Sequence, residues 1–167
     1  RKTDHAIKLL FGPKPVNIRP YKHAYHMKNE IENQVQELLE MGFIRASHIH
    51  YSRSIIMVKR DGGWRMFIDY RALNKITVPD RYLILVIEEL MDELYGGTYF
   101  TKLDIKSGFH QVRMRDEDIG KTTFQTHEGH YEYVVMQFGL INAPTTFQAT
   151  MNNIFRVMLR KIVLVFF

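Results

Sequence analysis

Asp104 is the residue whose context most suggests chemistry, within the run YFTKLDIKSGFHQV (99–112). Its carboxylate follows an apolar stretch typical of a strand and precedes a turn of small residues. A metal-dependent phosphoryl-transfer enzyme needs a carboxylate at the rigid end of a strand, where its oxygens can bind a divalent cation. Gly108 is expected where the backbone passes close to another group. An aspartate after a strand is also typical of a helix cap or a turn, so the motif alone leaves both roles open.

The composition is that of a folded, moderately basic protein. Hydrophobic residues make up 46% and charged residues 25%, which excludes a disordered or collagen-like chain. No apolar run reaches the roughly 20 residues of a membrane helix, no secretory signal opens the sequence, and the absence of cysteine excludes disulfides and thiolate metal sites. The net charge of +5 suits phosphate backbones, although a solvated surface has the same charge. We expect one globular, soluble, intracellular chain without a membrane partner.

A first amphipathic helix is predicted from about Met27. Its apolar residues share one helical face: Ile31, Val35, Leu38 and Leu39. Asn29 and Glu32 have the spacing of a capping box, and Gly42 can end the helix.

Two pairs of strand-like runs predict β-hairpins. The runs SIIMVKR (54–60) and WRMFIDY (64–70) flank Asp61-Gly62-Gly63, where glycine accepts the positive φ angles of a tight turn. The runs TTFQT (122–126) and HYEYVVM (130–136) alternate apolar and polar residues around a second turn. Each hairpin would supply an antiparallel pair of strands.

Two more helices complete a mixed α+β order of elements. One ends at Gly96-Gly97, just before the strand that leads to Asp104, and has the apolar residues Ile87, Leu90, Met91 and Leu94. The other begins at Asn142-Ala143-Pro144, because proline is tolerated in a first turn. Its spacing predicts a long apolar face formed by Phe147, Met151, Ile154, Phe155, Met158 and Ile162.

Other candidate sites are weaker. The first hairpin carries Lys59, Arg60, Arg65 and Arg71, and two of these cations could point to one face and bind a triphosphate, but charged hairpins are also ordinary solvated edges. The eight histidines include the close pairs 23/26 and 48/50, yet no HExxH motif or cysteine accompanies them, which favours structural or surface roles. The sequence also lacks GxGxxG, Walker and GxSxG motifs, which argues against dinucleotide, NTPase and hydrolase sites.

Three long collinear motifs resemble the reverse transcriptase of gypsy-type long-terminal-repeat retrotransposons, particularly those of plants. They are VKRDGGWRMFIDYRALNK (58–75), YFTKLDIKSGFHQV (99–112) and HEGHYEYVVMQFGLINAPTTFQATMNNIF (127–155). The resemblance implies an RNA-directed DNA polymerase, a nucleotidyltransferase, within a Pol polyprotein. It also implies a right-hand α+β fold, in which an antiparallel sheet and packed helices form fingers and palm.

The resemblance divides the chain into parts. It implies an extended N-terminal arm (1–26), fingers (27–78 and 113–141) and a partial palm (79–112 and 142–167). The implied partners are an RNA or DNA template–primer, a deoxynucleoside triphosphate and the rest of a Pol polyprotein. The implied location is the cytoplasm, in a virus-like particle, or the nucleus.

The same resemblance assigns roles to individual residues. Asp104 is the first catalytic aspartate and, with the backbone carbonyl of Ile105, binds Mg²⁺, with Mn²⁺ as an alternative. Phe109 lies under the sugar and excludes a 2′-hydroxyl. The implied nucleotide-binding residues are Lys59, Arg65, Ile105, Phe109, Phe138 and Gly139, and the implied template-binding residue is Gln148.

Two departures from the family pattern matter. Gln137 stands where the family commonly has proline, before the Phe-Gly pair. In the family, a strand like VLVFF continues into an Asp-Asp pair, whereas this sequence stops at Phe167. Asp104 alone supplies too little negative charge for two divalent cations, so we expect this chain alone to be inactive. The alternatives are a non-catalytic nucleic-acid-binding remnant that uses the basic hairpin, and a functionless relic with an unpaired palm edge.

Overall fold

The computed structural model describes residues 4–10, 21, 23–49, 53–80 and 92–165. Its helices are α1 (Tyr25–Glu40), α2 (Arg71–Ile76), α3 (Asp116–Ile119) and α4 (Ala143–Ile154), with 3-10 turns at Gly108–Gln111 and Gly120–Thr122. Its strands are β1 (Ile44–Ala46), β2 (Ile55–Arg60), β3 (Gly63–Ile68), β4 (Phe124–Gln125) and β5 (His130–Tyr133). Among the helices that the structure describes, none has the length and apolarity that a bilayer crossing requires.

The predicted start of α1 is wrong. The helix begins at Tyr25, its N-cap is Ala24, and no side chain caps it, so Asn29 lies inside the helix and forms no capping box with Glu32. Tyr25 is 80% exposed, so water can bond the free amides of the first turn and a side-chain cap is not required.

The apolar face and the end of α1 are confirmed. Ile31 and Val35 are buried, and Leu38 and Leu39 pack against the core. Gly42 has a φ of +67° and donates its N–H to Leu39, while Phe43 donates to the carbonyl of Leu38. These two bonds form a Schellman motif, which requires the left-handed residue that glycine supplies.

The first predicted hairpin is confirmed. β2 and β3 pair antiparallel, with Arg60 opposite Gly63 and a tight turn at Asp61 and Gly62. The side-chain amide of Gln34 on α1 donates to the carbonyl of Trp64 and accepts from the N–H of Met66, at 2.8 and 2.9 Å. Helix α1 therefore satisfies backbone groups on the outer edge of β3, which would otherwise be open.

The second predicted hairpin joins a three-stranded antiparallel sheet in the order β1–β5–β4. Ile44 pairs with Tyr133, and Phe124 pairs with Tyr131, so the central strand β5 is covered on both edges. Phe124 and Tyr133 are at most 1% exposed, with ring centroids 5.5 Å apart. These rings belong to a core that also includes residues of all four helices and of the first hairpin.

The start of α4 is confirmed and its predicted length is wrong. The helix begins at Ala143, with Asn142 as N-cap and proline in the first turn, but it ends at Ile154. Residues 155–162 form turns, and Ile154 and Ile162 are 61% and 79% exposed. An apolar face stabilises a helix only where another element covers it. In the described part of the chain, no element covers Ile154 or Ile162.

Three further predictions fall largely on residues outside this description. They are the Pro-rich part of the N-terminal arm, the helix before Gly96 up to residue 91, and the last two residues of the final apolar run. The described end of that helix has Gly96 at a φ of +83°, and Gly97 donates its N–H to the carbonyl of Leu94.

Residues 4–10 form an extended segment that joins distant parts of the chain. The backbone of His5 accepts from Arg115 and donates to Arg113, and Leu10 donates to Ile76. The N–H of Ile7 donates to a carboxylate oxygen of Asp118 at 2.9 Å, and Lys121 contacts the same carboxylate.

His5 is the buried centre of this segment. Its side chain is 1% exposed, and its Nδ1 lies 2.8 Å from the hydroxyl of Thr146 on α4. Burial lowers the pKa of His5 to about 4, because desolvation of the charged ring outweighs the opposing charges of Asp118 and Asp80. The imidazole is therefore neutral at pH 7.

We predict that His5 makes folding acid-sensitive. Below pH 6.5 the unfolded chain binds a proton that the folded chain does not bind until about pH 4, so stability falls as the pH is lowered through this window. The loss should reach about 2 kcal/mol at pH 5. Urea unfolding at pH 7 and pH 5 measures it, and His5→Gln should remove this part of the pH dependence. The exposed control His26→Gln should retain it. An equal pH dependence in His5→Gln and the parent chain would contradict the account.

Gly108 lies where the backbone passes close to a ring, as the sequence predicts. A Cβ on Gly108 would lie 3.0 and 3.1 Å from two ring carbons of Phe147 on α4. Phe147 packs against the core, so its ring has little room to withdraw.

We predict that Gly108→Ala destabilises the chain by about 1–3 kcal/mol through this overpacking. Chemical denaturation measures the change. Gly129→Ala is the matched control, because its Cβ would meet no atom closer than 3.9 Å and its φ is not left-handed. Adding Phe147→Leu to Gly108→Ala should recover part of the loss. Equal effects of the two alanine substitutions would refute the close-contact explanation.

Candidate active site

Asp104 does not lie at the end of a strand, so that prediction is wrong. Residues 97–105 are irregular, and Tyr99 and Leu103 are 95% and 83% exposed. The run after Lys161 forms no strand either over its described residues, where Leu159 and Val163 make one isolated bridge. A strand needs a neighbour to pair its backbone, and within the described ranges neither run has one.

The donors near Asp104 do not fit a two-ion site. The side chain of Asp104 is 84% exposed and lies 3.6 Å from the ammonium group of Lys102. Among the residues that the structure describes, the one group of three or more metal-ligating side chains does not include Asp104. One carboxylate and the carbonyl of the half-exposed Ile105 could bind a single hard cation, but two adjacent cations need more negative charge.

Phe109 and Phe138 come together, although they are far apart in the sequence. Phe109 lies on the 3-10 turn at Gly108–Gln111, and its ring meets that of Phe138 edge-on at 4.3 Å between centroids. The ring of Phe109 also meets that of Phe147 edge-on, at 5.2 Å between centroids. Phe138 is 47% exposed, so one side of this aromatic cluster faces solvent.

Gly139 is held by a residue that sequence reasoning missed. The side-chain amide of Asn74 on α2 donates to the carbonyl of Gly139 at 2.7 Å and accepts from the N–H of Ile141 at 3.0 Å. Gly139 has a φ of +91°, and a Cβ there would lie 3.5 Å from the ring of Tyr70. A left-handed residue against this ring favours glycine. No local signal marks Asn74, because both of its partners are more than 60 residues away.

An ion pair lies at the start of α2, the helix that carries Asn74, whose N–H donates to the carbonyl of Tyr70. Arg71 donates from Nε and Nη2 to the two carboxylate oxygens of Asp69, at 2.9 and 2.7 Å, and its backbone N–H donates to the same carboxylate. These hydrogen bonds, more than the opposing effect of burial, lower the pKa of Asp69. The guanidinium of Arg71 is therefore already paired with a carboxylate in this structure.

Gln137 takes a structural role in place of the expected proline. It is 6% exposed, and its side-chain oxygen lies 2.8 Å from Nε2 of His110 on the 3-10 turn. The ring of His110 also lies 4.7 Å from that of Phe43. This hydrogen bond joins the two segments that present Phe109 and Phe138.

Lys59 and Arg65 do not share a face of the hairpin. Lys59 pairs with Trp64, and Arg65 pairs with Val58, one register position further from the turn. Since side chains alternate along a strand, these two pairs point to opposite faces. Arg60, two residues from Val58, lies on the same face as Arg65, so the hairpin still presents two cations on one face. Both cations are exposed near the hairpin tip.

Gln148 is buried against the end of the described chain. It is 8% exposed, and its amide donates to Asn152 at 2.8 Å and to the carbonyl of Val165 at 3.0 Å. This geometry leaves little of its surface for a template.

Comparison with known proteins shows which family the chain resembles. The family model described as reverse transcriptase (RNA-dependent DNA polymerase) matches residues 57–167. The Pol polyprotein of transposon 297 from Drosophila melanogaster is 46% identical over 158 residues, which cover 91% of this chain and 15% of that protein. The enzymatic polyprotein of cauliflower mosaic virus (strain Strasbourg) is 36% identical over 157 residues, which cover 91% of this chain and 23% of that protein. The chain thus spans less than a quarter of these relatives.

Solved structures show the same fold. The prototype foamy virus protease–reverse transcriptase matches 96% of this chain and 22% of its own, with a TM-score of 0.81 at 23% identity. The foamy viral enzyme in complex with an RNA/DNA hybrid matches 98% of this chain and 22% of its own, with a TM-score of 0.78 at 21% identity. The α+β fold of fingers and palm is thereby confirmed, while the special similarity to plant elements stays a prediction. The chain belongs to the reverse transcriptase (RNA-dependent DNA polymerase) family.

Proposed function

We propose that this chain provides the fingers and part of the palm of a retrotransposon RNA-directed DNA polymerase. The observation that carries the proposal is the convergence of Phe109, Phe138 and Gly139 beside α2 and α4, in a chain of the reverse transcriptase family. In this proposal the fingers comprise residues 27–78 and 113–141, and the palm comprises 79–112 and 142–167.

Phe109 would act as the wall that selects deoxynucleotides. Its ring is held on two sides by Phe138 and Phe147, so it cannot move away from a ribose without breaking both contacts. A sugar stacked over this ring would have no room for a 2′-hydroxyl. Phe138 and Gly139, fixed by Asn74, would shape the neighbouring wall of the pocket.

Lys59 and Arg65 would bind phosphate groups at the hairpin tip. Because they lie on opposite faces, both would reach a triphosphate only if the tip folded over it. In the isolated chain both cations would also meet the phosphate backbone of the template–primer. Gln148 would act on the template side by holding α4 against Val165 rather than by direct contact.

The metal chemistry would be incomplete in this chain. When bound, Mg²⁺ or Mn²⁺ would neutralise phosphate charge, and this chain would contribute the carboxylate of Asp104 and the carbonyl of Ile105. Among the described residues, Asp104 belongs to no group of three or more metal-ligating side chains that could hold a second ion. The isolated chain would therefore bind template–primer and nucleotide without joining them.

The proposed setting is a Pol polyprotein inside the cell, in a cytoplasmic virus-like particle or in the nucleus. The support is the similarity to Pol polyproteins of transposons, of which this chain covers about a sixth. The proposed partners are an RNA or DNA template–primer and deoxynucleoside triphosphates. The foamy viral protease–reverse transcriptase has been solved in complex with double-stranded DNA and in complex with an RNA/DNA hybrid.

We predict salt-dependent binding of a template–primer that depends on the hairpin tip. Each phosphate contact contributes about 0.9 to the slope of log K against log salt concentration. Lys59→Ala and Arg65→Ala should each weaken binding and lower this slope by about 1, as measured by fluorescence anisotropy of a labelled RNA–DNA duplex.

Lys161→Ala is the matched control, since Lys161 is exposed but lies far from the hairpin in sequence, after α4. It should leave the slope unchanged, and so should Asp104→Ala. A slope that is the same in both hairpin variants and in the parent chain would rule out the proposed phosphate contacts.

A further inference from the structure

One imidazole and two carboxylates meet where α1 faces the turn between β4 and β5. Nε2 of His127 contacts a carboxylate oxygen of Glu32, and the ligand atoms of Glu32, His127 and Glu128 all lie within 4.8 Å of one another. This cluster shares no residue with the candidate active site. We propose that it is a separate binding site for a divalent transition metal of the zinc type.

The backbone presents these side chains from two fixed elements. Glu32 follows the buried Ile31 within α1. The turn that holds the other two ligands is closed by Thr126, whose hydroxyl accepts the N–H groups of Glu128 and Gly129 at 3.0 and 3.1 Å. The N–H of Thr126 also donates to the carbonyl of Gly129 at 2.9 Å. Ligand binding would therefore require side-chain rotation only.

The donor set favours zinc over magnesium. Zinc accepts imidazole nitrogen and carboxylate oxygen at roughly 2.0–2.2 Å, which places the ligand atoms of a tetrahedral site about 3.4 Å apart. The ligand atoms lie within 4.8 Å of one another, so rotation of the exposed side chains would bring them to this separation. Two carboxylates balance the ion's charge, whereas Mg²⁺ prefers an octahedral set of oxygens.

The site would also have room for a water ligand. Three protein ligands leave one tetrahedral position open. A cavity of about 400 Å³ borders His127 and Thr126, and Lys28 and His23 line its other side. The bound ion would join α1 to the second hairpin, so binding should stabilise the folded chain by mass action.

A plain ion pair between His127 and Glu32 is the competing explanation. It needs no contribution from Glu128 and gives no tight metal binding. The metal site instead needs all three side chains, so removal of any one should weaken zinc binding.

Zinc binding to the untagged chain tests the proposal. Isothermal titration with Zn²⁺ should give one site per chain, and saturating Zn²⁺ should raise the melting temperature. Co²⁺ in place of Zn²⁺ should give the visible absorption of a low-symmetry four-coordinate site. His127→Ala, Glu32→Gln and Glu128→Gln should each lower zinc affinity at least tenfold.

His26→Ala and Glu37→Gln are the matched controls, because both residues are exposed on the same helix outside the cluster. They should retain the parent affinity. The three site residues are partly or fully exposed, so their variants should fold, and far-UV circular dichroism checks this. The proposal is overturned if the parent chain binds no Zn²⁺ at one equivalent, or if the three site variants bind it as tightly as the controls.

Discussion

The side-chain amide of Asn74 is the contact on which the candidate nucleotide pocket depends. It satisfies one acceptor and one donor of the segment around Gly139, and so fixes the backbone that presents Phe138. Asn74 is itself placed by the start of α2, where Asp69 holds Arg71 with two charge-assisted bonds. The first hairpin, α2 and the segment before α4 are thus linked in series.

Phe109 depends on the same series of contacts. Its ring is bounded by Phe138, which Asn74 positions through the next residue, and by Phe147 on α4. Gly108 allows the backbone to approach Phe147, and the bond between His110 and Gln137 ties the 3-10 turn to the opposite segment. Each contact joins parts of the chain that are distant in sequence, so the pocket is a property of the folded core and not of a local motif.

The segment around Asp104 lacks such contacts among the described residues. Tyr99 and Leu103 are almost fully exposed, and the backbone around Asp104 has no strand beside it. The ion pair between Asp104 and Lys102 lies in solvent, where such pairs contribute little to stability. The carboxylate is consequently not held in the rigid position that metal-ion catalysis requires.

Local signals predicted much of the fold because they act within a few residues. Gly42 ends α1, the glycines after Asp61 close the first hairpin, and Pro144 opens α4, since each supplies a backbone geometry that the element itself requires. The capping box at Asn29 failed because an exposed helix start does not need one. The strand before Asp104 failed because a strand also depends on its neighbour.

The candidate site was predictable only through long motifs, which assigned nucleotide-binding roles to Phe109 and Phe138. The contact between their rings was not predicted. Asn74 escaped prediction, since its side-chain bonds span more than 60 residues. The opposite faces of Lys59 and Arg65 depend on the exact pairing register, which the turn alone did not specify.

We propose that these residues form the nucleotide-pocket side of a polymerase site without a two-ion centre. Primer extension by the isolated chain, on a homopolymer RNA template with Mg²⁺, distinguishes the two. We expect no incorporation above that of Asp104→Ala, from a preparation that still binds the template–primer. Robust incorporation by the parent chain that is lost in Asp104→Ala would show a working two-ion centre and overturn the proposal.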